Sequence, residues 1–356
     1  MTDIIDTAGP LSRTYLPAQL IDREPEQETL SEAFAADTET RLQHLHLYGP
    51  RGAGKTHLVK QFLTTFPSTV TTCYVSGRPH DTQYKALERL LQQLTGESVG
   101  TGHHVADLQR RIEQTLTLET VIVLDEVDFL LLNDGDDLLY FLTRLENTAV
   151  ITVSANHRSL QPELDDRTYS SFRPQILSLN PYTVSQVQQI LGDRARRALQ
   201  PESVERTALS RIASTTSNIA IGLCWLRAAA EATDDTVTRD LIDEVQSAGY
   251  AKYVTELLDD FTPHHRRLYE TIDLLSQDWD PVVSGTVYEA YRRRCIDADV
   301  TPLSERRISD FLVHLEFLGL IEATYHYGGN KGKTREIRLV DWSGDPPSKD
   351  TSSEED

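Results

Sequence analysis

The sequence predicts a doubly wound parallel α/β domain, then a block of helices, then a small three-helix module closed by a hairpin. Three observations predict it. A glycine-rich octapeptide stands between a strand-like run and a helical run. A second apolar, β-branched run ends in a pair of acids. The periodicity then changes twice, becoming purely helical after about residue 180 and ending in helix, helix, helix, hairpin after about residue 260.

The first strand is the run Leu45-His-Leu-Tyr48, followed by Gly49-Pro-Arg-Gly-Ala-Gly-Lys-Thr56. This matches G-x-x-x-x-G-K-[ST], whose glycines let consecutive backbone N–H groups turn inward around phosphate oxygens. The candidate phosphate-binding set is Gly49, Pro50, Arg51, Gly52, Ala53, Gly54, Lys55, Thr56 and His57. Lys55 would reach the outer phosphates of ATP or ADP, and Thr56 would ligate Mg²⁺. His57-Leu-Val-Lys-Gln-Phe-Leu63 is helical in pattern, so the phosphates would meet a helix N-terminus.

Val121-Ile-Val-Leu124 reads as a strand buried on both faces of a parallel sheet, and it runs into Asp125-Glu126. Acids at that carboxyl end would emerge beside the phosphate loop. Asp125 could hold the magnesium through water, and Glu126 could orient or deprotonate an attacking water. Asp128, one turn on, reads as a solvated or capping carboxylate. Ala149-Val-Ile-Thr-Val-Ser154 is a third strand, and Asn156 just beyond it could reach the outermost phosphate or the water. Alternation of strand and helix patterns covers residues 10–178.

Residues 181–258 read as helix after helix, the pattern of a lid over a nucleotide-binding core. From Thr262 onward, Pro263–Leu275 and Val287–Cys295 are expected helices. Ser304 is an expected N-cap for a third, in which Ile308, Phe311, Leu312 and Leu315 form one apolar stripe. Arg306 points away from that stripe and Arg307 lies at its edge. Gly319 stops the helix, and Leu320–Tyr327 and Thr334–Val340 are expected strands. Three helices and a hairpin make a winged helix-turn-helix. Its third helix would enter a major groove, with the hairpin tip along the adjoining backbone.

Composition sharpens that reading. The chain has 356 residues and a formal net charge of −20, with 55 acids against 35 bases. Yet Gly328-Gly-Asn-Lys-Gly-Lys-Thr-Arg-Glu-Ile-Arg338 holds four cations and one acid, including two of only seven lysines. Lys331, Lys333, Thr334 and Arg335 are therefore candidate duplex-DNA contacts, together with Ser304, Arg306 and Arg307. The competing reading is a solvated hairpin whose charges keep its edge soluble. The scattered acids suit a cytoplasm of very high salt, where screening falls to ~3 Å at molar ionic strength. They equally suit an ordinary acidic protein.

Cys73, Cys224 and Cys295 lie in no metal-ligand spacing and read as small buried hydrophobes. His103-His104 and His264-His265 read as solvent-facing. No apolar run approaches the ~20 residues needed to span a bilayer, and none resembles a signal peptide, so the expectation is a soluble, cytoplasmic protein with no membrane partner. Residues 1–11 are expected to be a flexible N-terminus, and the acidic tail 341–356 to be disordered.

With these residues in hand, the chain resembles the archaeal replication initiators of the origin-recognition and cell-division-control family, a branch of the AAA+ ATPases. The resemblance covers about residues 12–340. It is carried by Tyr15-Leu-Pro17 and Asp22-Arg-Glu24, the loop 49–56, and Leu124-Asp-Glu-Val-Asp128. It continues through Leu164-Asp-Asp-Arg-Thr-Tyr-Ser-Ser171 and Pro181-Tyr182, and is most specific in Leu303-Ser-Glu-Arg-Arg-Ile-Ser-Asp310 and Gly332-Lys-Thr-Arg-Glu-Ile-Arg338. The domains it implies are an AAA+ core over 12–180, a helical lid over 181–258 and a winged helix over 259–340.

The resemblance further implies binding of duplex origin DNA and recruitment or loading of the replicative helicase, with other initiator copies as possible partners. It implies a DNA-contacting helical insertion, for which Thr101–Leu116 with Arg110 and Arg111 is the candidate. Asn156 would be the first sensor, and Arg167 the arginine that faces a neighbour's nucleotide. Tyr15, Pro17, Arg23, Pro181, Tyr182 and Ile190 would border the adenine. One departure stands out. Ala220, in Ser217-Asn-Ile-Ala220, occupies the family's second-sensor arginine place, and Arg227 falls seven residues later. Slow or negligible turnover follows, with the nucleotide acting mainly as a switch. Two other readings remain at this point, a nucleotide-switched transcription regulator with the same winged helix and a motor-type AAA+ helicase.

Overall fold

Five parallel strands build the first sheet, in the order β2-β3-β4-β1-β5: β1 Leu45–Tyr48, β2 Val70–Ser76, β3 Glu119–Asp125, β4 Thr148–Ser154 and β5 Gln175–Ser178. The computed structural model describes residues 4–34, 43–100, 102–326 and 334–340. Period-two alternation sends Ile122 and Leu124 of β3 to one face of the sheet and Val121 and Val123 to the other. On the first face they meet Leu87, Leu90 and Leu91 of helix α3 (Gln83–Thr95) and Leu108 and Ile112 of α4 (Val105–Thr115). On the second they meet Leu30 of α1 (Glu24–Ala33) and Leu58, Val59 and Phe62 of α2 (Lys55–Leu63). A strand covered on both faces has no polar side, which is why β3 reads as an unbroken apolar run.

Register decides where the acids emerge. Ser76 of β2 pairs with Asp125 of β3, and Tyr48 of β1 pairs with Ser154 of β4. The strands therefore end level with one another at the edge where the phosphate loop leaves β1. Helices α5 (Val127–Asp134), α6 (Asp137–Thr143) and α7 (Asp166–Phe172) complete the expected α/β alternation.

The helical block follows as α8 (Val184–Ala198), α9 (Arg206–Thr215), α10 (Ile219–Glu231) and α11 (Arg239–Leu258). Residues 4–11 correct the expectation of a flexible N-terminus. Ile4 and Leu11 are buried, Ile5 bridges Leu199, and the N–H groups of Asp6 and Thr7 both donate to the carbonyl of Ala198. The segment docks on α8 because its apolar residues find a helix end whose carbonyls need donors.

The chain divides into two compact units, Met1–Ala213 with Ser217–Val245, and Ser214–Thr216 with Gln246–Asp356. In the second unit, α12 (Pro263–Ser276), α13 (Ser284–Asp297) and α14 (Glu305–Phe317) pack against an antiparallel sheet. Its strand order is β6-β8-β7, with β6 Val282–Val283, β7 Ile321–His326 and β8 Thr334–Leu339. The two-residue strand β6 was too short to leave a sequence signal. The apolar stripe of α14 is buried as expected. Gly319 ends the helix at φ 68°, where the N–H of Leu320 donates to the carbonyl of Leu315 and that of Gly319 to Glu316. Those two bonds are a Schellman cap, and glycine adopts its left-handed position at no steric cost.

The histidine pair of α12 corrects another expectation. His265 is buried, stacks on Phe311 at 3.6 Å between ring centroids, and lies 3.0 Å from His314 Nδ1 through its Nε2. His264 is half-buried, with Nδ1 2.6 Å from the Tyr291 hydroxyl. The three cysteines are buried as expected. Among the described residues no helix is long and apolar enough to cross a membrane.

Candidate nucleotide site and nucleic-acid interface

The phosphate loop turns from β1 into α2 through two left-handed glycines, Gly52 (φ 80°) and Gly54 (φ 87°). Packing requires glycine there as much as geometry does. A Cβ on Gly52 would lie 2.6 Å from the Cα of Asn218, one on Gly54 would lie 2.7 Å from the Tyr182 hydroxyl, and one on Gly49 would lie 2.6 Å from the Leu179 carbonyl. The loop is thus gripped from behind by residues 179–182 and by Asn218, the N-cap of α10, whose Oδ1 accepts from the N–H groups of Ala220 and Ile221. Lys55 is buried and donates to the carbonyls of Gly49 (2.6 Å) and Pro50 (2.9 Å). Burial, and then the adjacent Arg51, push its ammonium down to about 8, against the pull of Asp125, Asp128 and Glu126.

Asp125 receives two hydroxyl donors on one oxygen. Thr56 Oγ1 donates to Oδ2 at 2.7 Å, and the Tyr74 hydroxyl donates to the same atom at 2.6 Å. Burial, and next the charge of Glu126, raise the Asp125 carboxyl above its ordinary value, opposed by those two donors and by Lys55. Glu126 stands at φ 55°, ψ 45°, a left-handed backbone costing a non-glycine residue about 1 kcal/mol or more. Its carboxylate is held by Arg78, with Arg51 Nη1 4.0 Å away and the Ser76 hydroxyl 3.3 Å from Oε2. Gly77, between Ser76 and Arg78, lets the end of β2 approach, since a Cβ there would lie 2.3 Å from the Glu126 carbonyl.

Asp128 is not a solvated carboxylate. It is buried, accepts from Ser154 Oγ at 2.6 Å and the Ala155 N–H at 3.3 Å, and lies 2.9 Å from His157 Nδ1. Burial pushes its carboxyl up, but the bonds from His157 and Ser154 outweigh it and hold it below the ordinary range. It therefore pins the start of α5 under the end of β4. Asn156, two residues beyond β4, is exposed, and its N–H donates to Ser154 Oγ.

The residues expected around a base gather on the N-terminal segment and α8. Arg23 is buried, donates to the carbonyls of Ala53 (3.0 Å) and Asn180 (2.9 Å), pairs with Glu26, and lies over the Tyr182 ring at 4.2 Å. Pro181 is exposed beside the buried Tyr182. His57 spends Nε2 on the Tyr15 carbonyl at 3.0 Å, and burial pushes its ring down to about 4. Arg194, absent from the sequence reading, is buried, donates to the carbonyls of Tyr15 and Pro10, and lies over the Tyr15 ring. Pro17 and Ile190, one turn before Arg194, are half-buried.

Arg167 stands apart from this cluster. It is 56% exposed at the start of α7, 3.2 Å from Asp137 and over the Tyr140 ring at 4.9 Å. Ala220 is half-buried in the first turn of α10, and Arg227 pairs with Glu231 along that helix.

In the second unit Ser304 caps α14, its hydroxyl accepting from the Arg307 N–H at 3.4 Å. Arg306 and Arg307 are exposed, and Arg307 reaches over Phe311 at 5.7 Å. Arg335 is half-buried. It donates to the Ser309 carbonyl and hydroxyl and lies over the Tyr325 ring, so it fastens β8 to α14. Thr334, half-buried, opens β8 opposite His326. Lys331 and Lys333, with the hairpin tip, the tail 341–356 and Thr101, lie outside the described residues. The sequence reading passed over Arg292 and Arg293 of α13, which are exposed and make no ion pair among the described residues. In the first unit α4 carries Arg110, exposed and paired with Asp107, and Arg111, half-buried.

The chain is similar to known proteins. Residues 39–162 match the AAA domain family, and residues 256–345 match the CDC6 C-terminal winged helix domain. The ORC1-type DNA replication protein 1 of Sulfolobus acidocaldarius is 29% identical, over 96% of this chain and 94% of that protein. The ORC1-type DNA replication protein of Pyrococcus abyssi is also 29% identical, over 92% and 85%. Among solved structures, the Aeropyrum pernix ORC1 protein in complex with DNA superposes with a TM-score of 0.75 at 25% identity, covering 95% of this chain and 94% of that one.

Proposed function

The chain belongs to the ORC1/Cdc6 family of archaeal DNA replication initiators, and from that premise we propose that it is a nucleotide-binding initiator that recognises duplex origin DNA and helps recruit or load the replicative helicase. The observation that carries this reading is the pairing, in one chain, of a buried Lys55–Thr56–Asp125 site with a capped helix that exposes Arg306 and Arg307. The residues fit ATP or ADP. Gly49–Thr56 is a glycine loop leading into a helix N-terminus whose N–H groups would meet the phosphates, Lys55 would supply the cation, and Tyr15, Arg23 and Tyr182 would form the wall beside it. They also fit Mg²⁺, since the Thr56 hydroxyl and Asp125 carboxylate are the oxygen donors a small hard cation prefers. The ion would neutralise phosphate charge there.

Turnover is slow in this reading. Ala220 brings no charge from the lid, and the Glu126 oxygens are engaged by Arg78 and Ser76, so the nucleotide serves mainly as a bound switch. Arg167, exposed, is available to a second copy of the chain. Arg292 and Arg293, exposed on α13, are further cations available to duplex phosphates. If the acidic body is a salt adaptation, duplex binding survives ~1 M salt through shape fit and specific contacts rather than counterion release.

Chromosome-wide mapping of the sites this protein occupies is the test. Enrichment beside replication start points is expected. Occupancy confined to promoters would replace initiation with transcriptional regulation, and rapid steady-state ATP hydrolysis by the purified chain would point to a motor.

A further inference from the structure

Strand β2 carries a residue that no nucleotide-binding motif names. Tyr74 lies two residues before the end of β2, opposite Val123, while Ser76 lies opposite Asp125. Its side chain leans along the strand to the level of the acids, and its hydroxyl donates to Asp125 Oδ2 at 2.6 Å across a sequence separation of 51 residues. The ring and the backbone of this residue are each held. The Lys60 ammonium, one turn after Thr56 on α2, lies over its face at 4.5 Å, and the Gln93 amide brackets the Tyr74 backbone, accepting from its N–H and donating to its carbonyl.

Both protein donors to Asp125 fall on Oδ2, and among the described residues none reaches Oδ1. Two donors on one oxygen fix the plane of a carboxylate that a single hydroxyl would leave free to rotate. The other oxygen is then presented in one orientation toward whatever sits beyond the Thr56 hydroxyl. Outer partners of this kind orient metal-binding groups, and losing one typically costs about 10-fold or more in metal affinity.

We propose that Tyr74 is a positioning residue for the cation-directed carboxylate of Asp125, setting the magnesium requirement of nucleotide binding. This rests on the reading of Thr56 and Asp125 given above. Tyr74 touches neither nucleotide nor reacting atoms in this account. Its effect passes through Asp125 alone.

The experiment uses the full chain and a fluorescent ADP analogue, titrated with MgCl₂ after chelation. Tyr74→Phe keeps the ring and its contacts and removes one oxygen. The half-saturating magnesium concentration is expected to rise about 10-fold, with analogue affinity in EDTA unchanged. In an Asp125→Asn background the same substitution should add almost nothing, because the two changes act through one bond. An unaltered magnesium response in Tyr74→Phe overturns the proposal, and so does an equal loss of affinity with and without magnesium, which would make Tyr74 a packing residue. A native chain whose analogue binding ignores magnesium altogether would instead overturn the Thr56–Asp125 reading, and this proposal with it.

Discussion

The nucleotide unit and the winged-helix unit handle charge in opposite ways. In the first, the charged groups around the phosphate loop are taken out of water and answered one by one: Lys55 by loop carbonyls, Asp125 by Thr56 and Tyr74, Glu126 by Arg78, Asp128 by Ser154. In the second, the buried polar groups are few, with His265 and His314 against Phe311 at their centre, and Arg292 and Arg293 of α13 and Arg306 and Arg307 of α14 stay in solvent. The sequence shows the same division. Residues 1–260 hold 23 bases against 37 acids, whereas residues 261–340 hold 11 against 12. A site for a small polyphosphate gains from preorganised, desolvated donors. A surface for a long polyanion gains from charges that remain hydrated until phosphates replace the water.

That contrast can be broken most directly at its buried end. Lys55→Ala removes a desolvated cation and should weaken ADP binding about 100-fold, near the loss of one strong charge-assisted interaction. Equilibrium binding of a labelled nucleotide measures it, and a change under 3-fold would mean that the buried cation is structural. At the exposed end the expected effect is smaller and of another kind. Arg306→Ala with Arg307→Ala should lower duplex affinity about 10-fold, evenly across unrelated sequences. Gel-shift titration with several duplexes checks this, and loss restricted to one sequence would turn these residues into base readers.

The histidine stack sharpens the comparison through pH. Burial, then the neighbouring His314, push His265 down to about 3, with His264 and Arg307 adding to the push and Thr262 opposing it. Below the ordinary histidine value the unfolded chain therefore binds a proton that the folded unit refuses. The stabilisation is complete above about pH 6.5 and is lost as pH falls toward 3, with a slope of at most ~1.4 kcal/mol per pH unit. Thermal unfolding at pH 7 and pH 5 should show a drop in the native chain that His265→Phe reduces. Equal drops in both would place the acid sensitivity elsewhere, with His57 of the nucleotide unit, lowered to about 4 by burial, the next group to replace.

Local patterns were legible without coordinates. The octapeptide 49–56, the apolar run into Asp125, the Ser304 cap and the Gly319 stop each depend on neighbours within a few residues, and each forms as the sequence predicts. Asp128 and His265 were misread for one shared reason. Both are polar side chains near helix starts, where exposure is the ordinary outcome, and only distant partners bury them: Ser154 and His157 for the acid, Phe311 and His314 for the imidazole. The N-terminal residues 4–11 likewise gain their order from α8, nearly two hundred positions away.

By itself the sequence determined which residues could meet a phosphate, a cation or a duplex, since glycine, lysine, threonine and aspartate carry that chemistry wherever they stand. Tertiary structure decided which of them are held and by what. The register of β2 on β3 put Tyr74 and Arg78 against the two acids, and the packing of α10 on the loop made Gly52 obligatory. Those partners are non-local, and chain pairing, not residue type, is what brings them together.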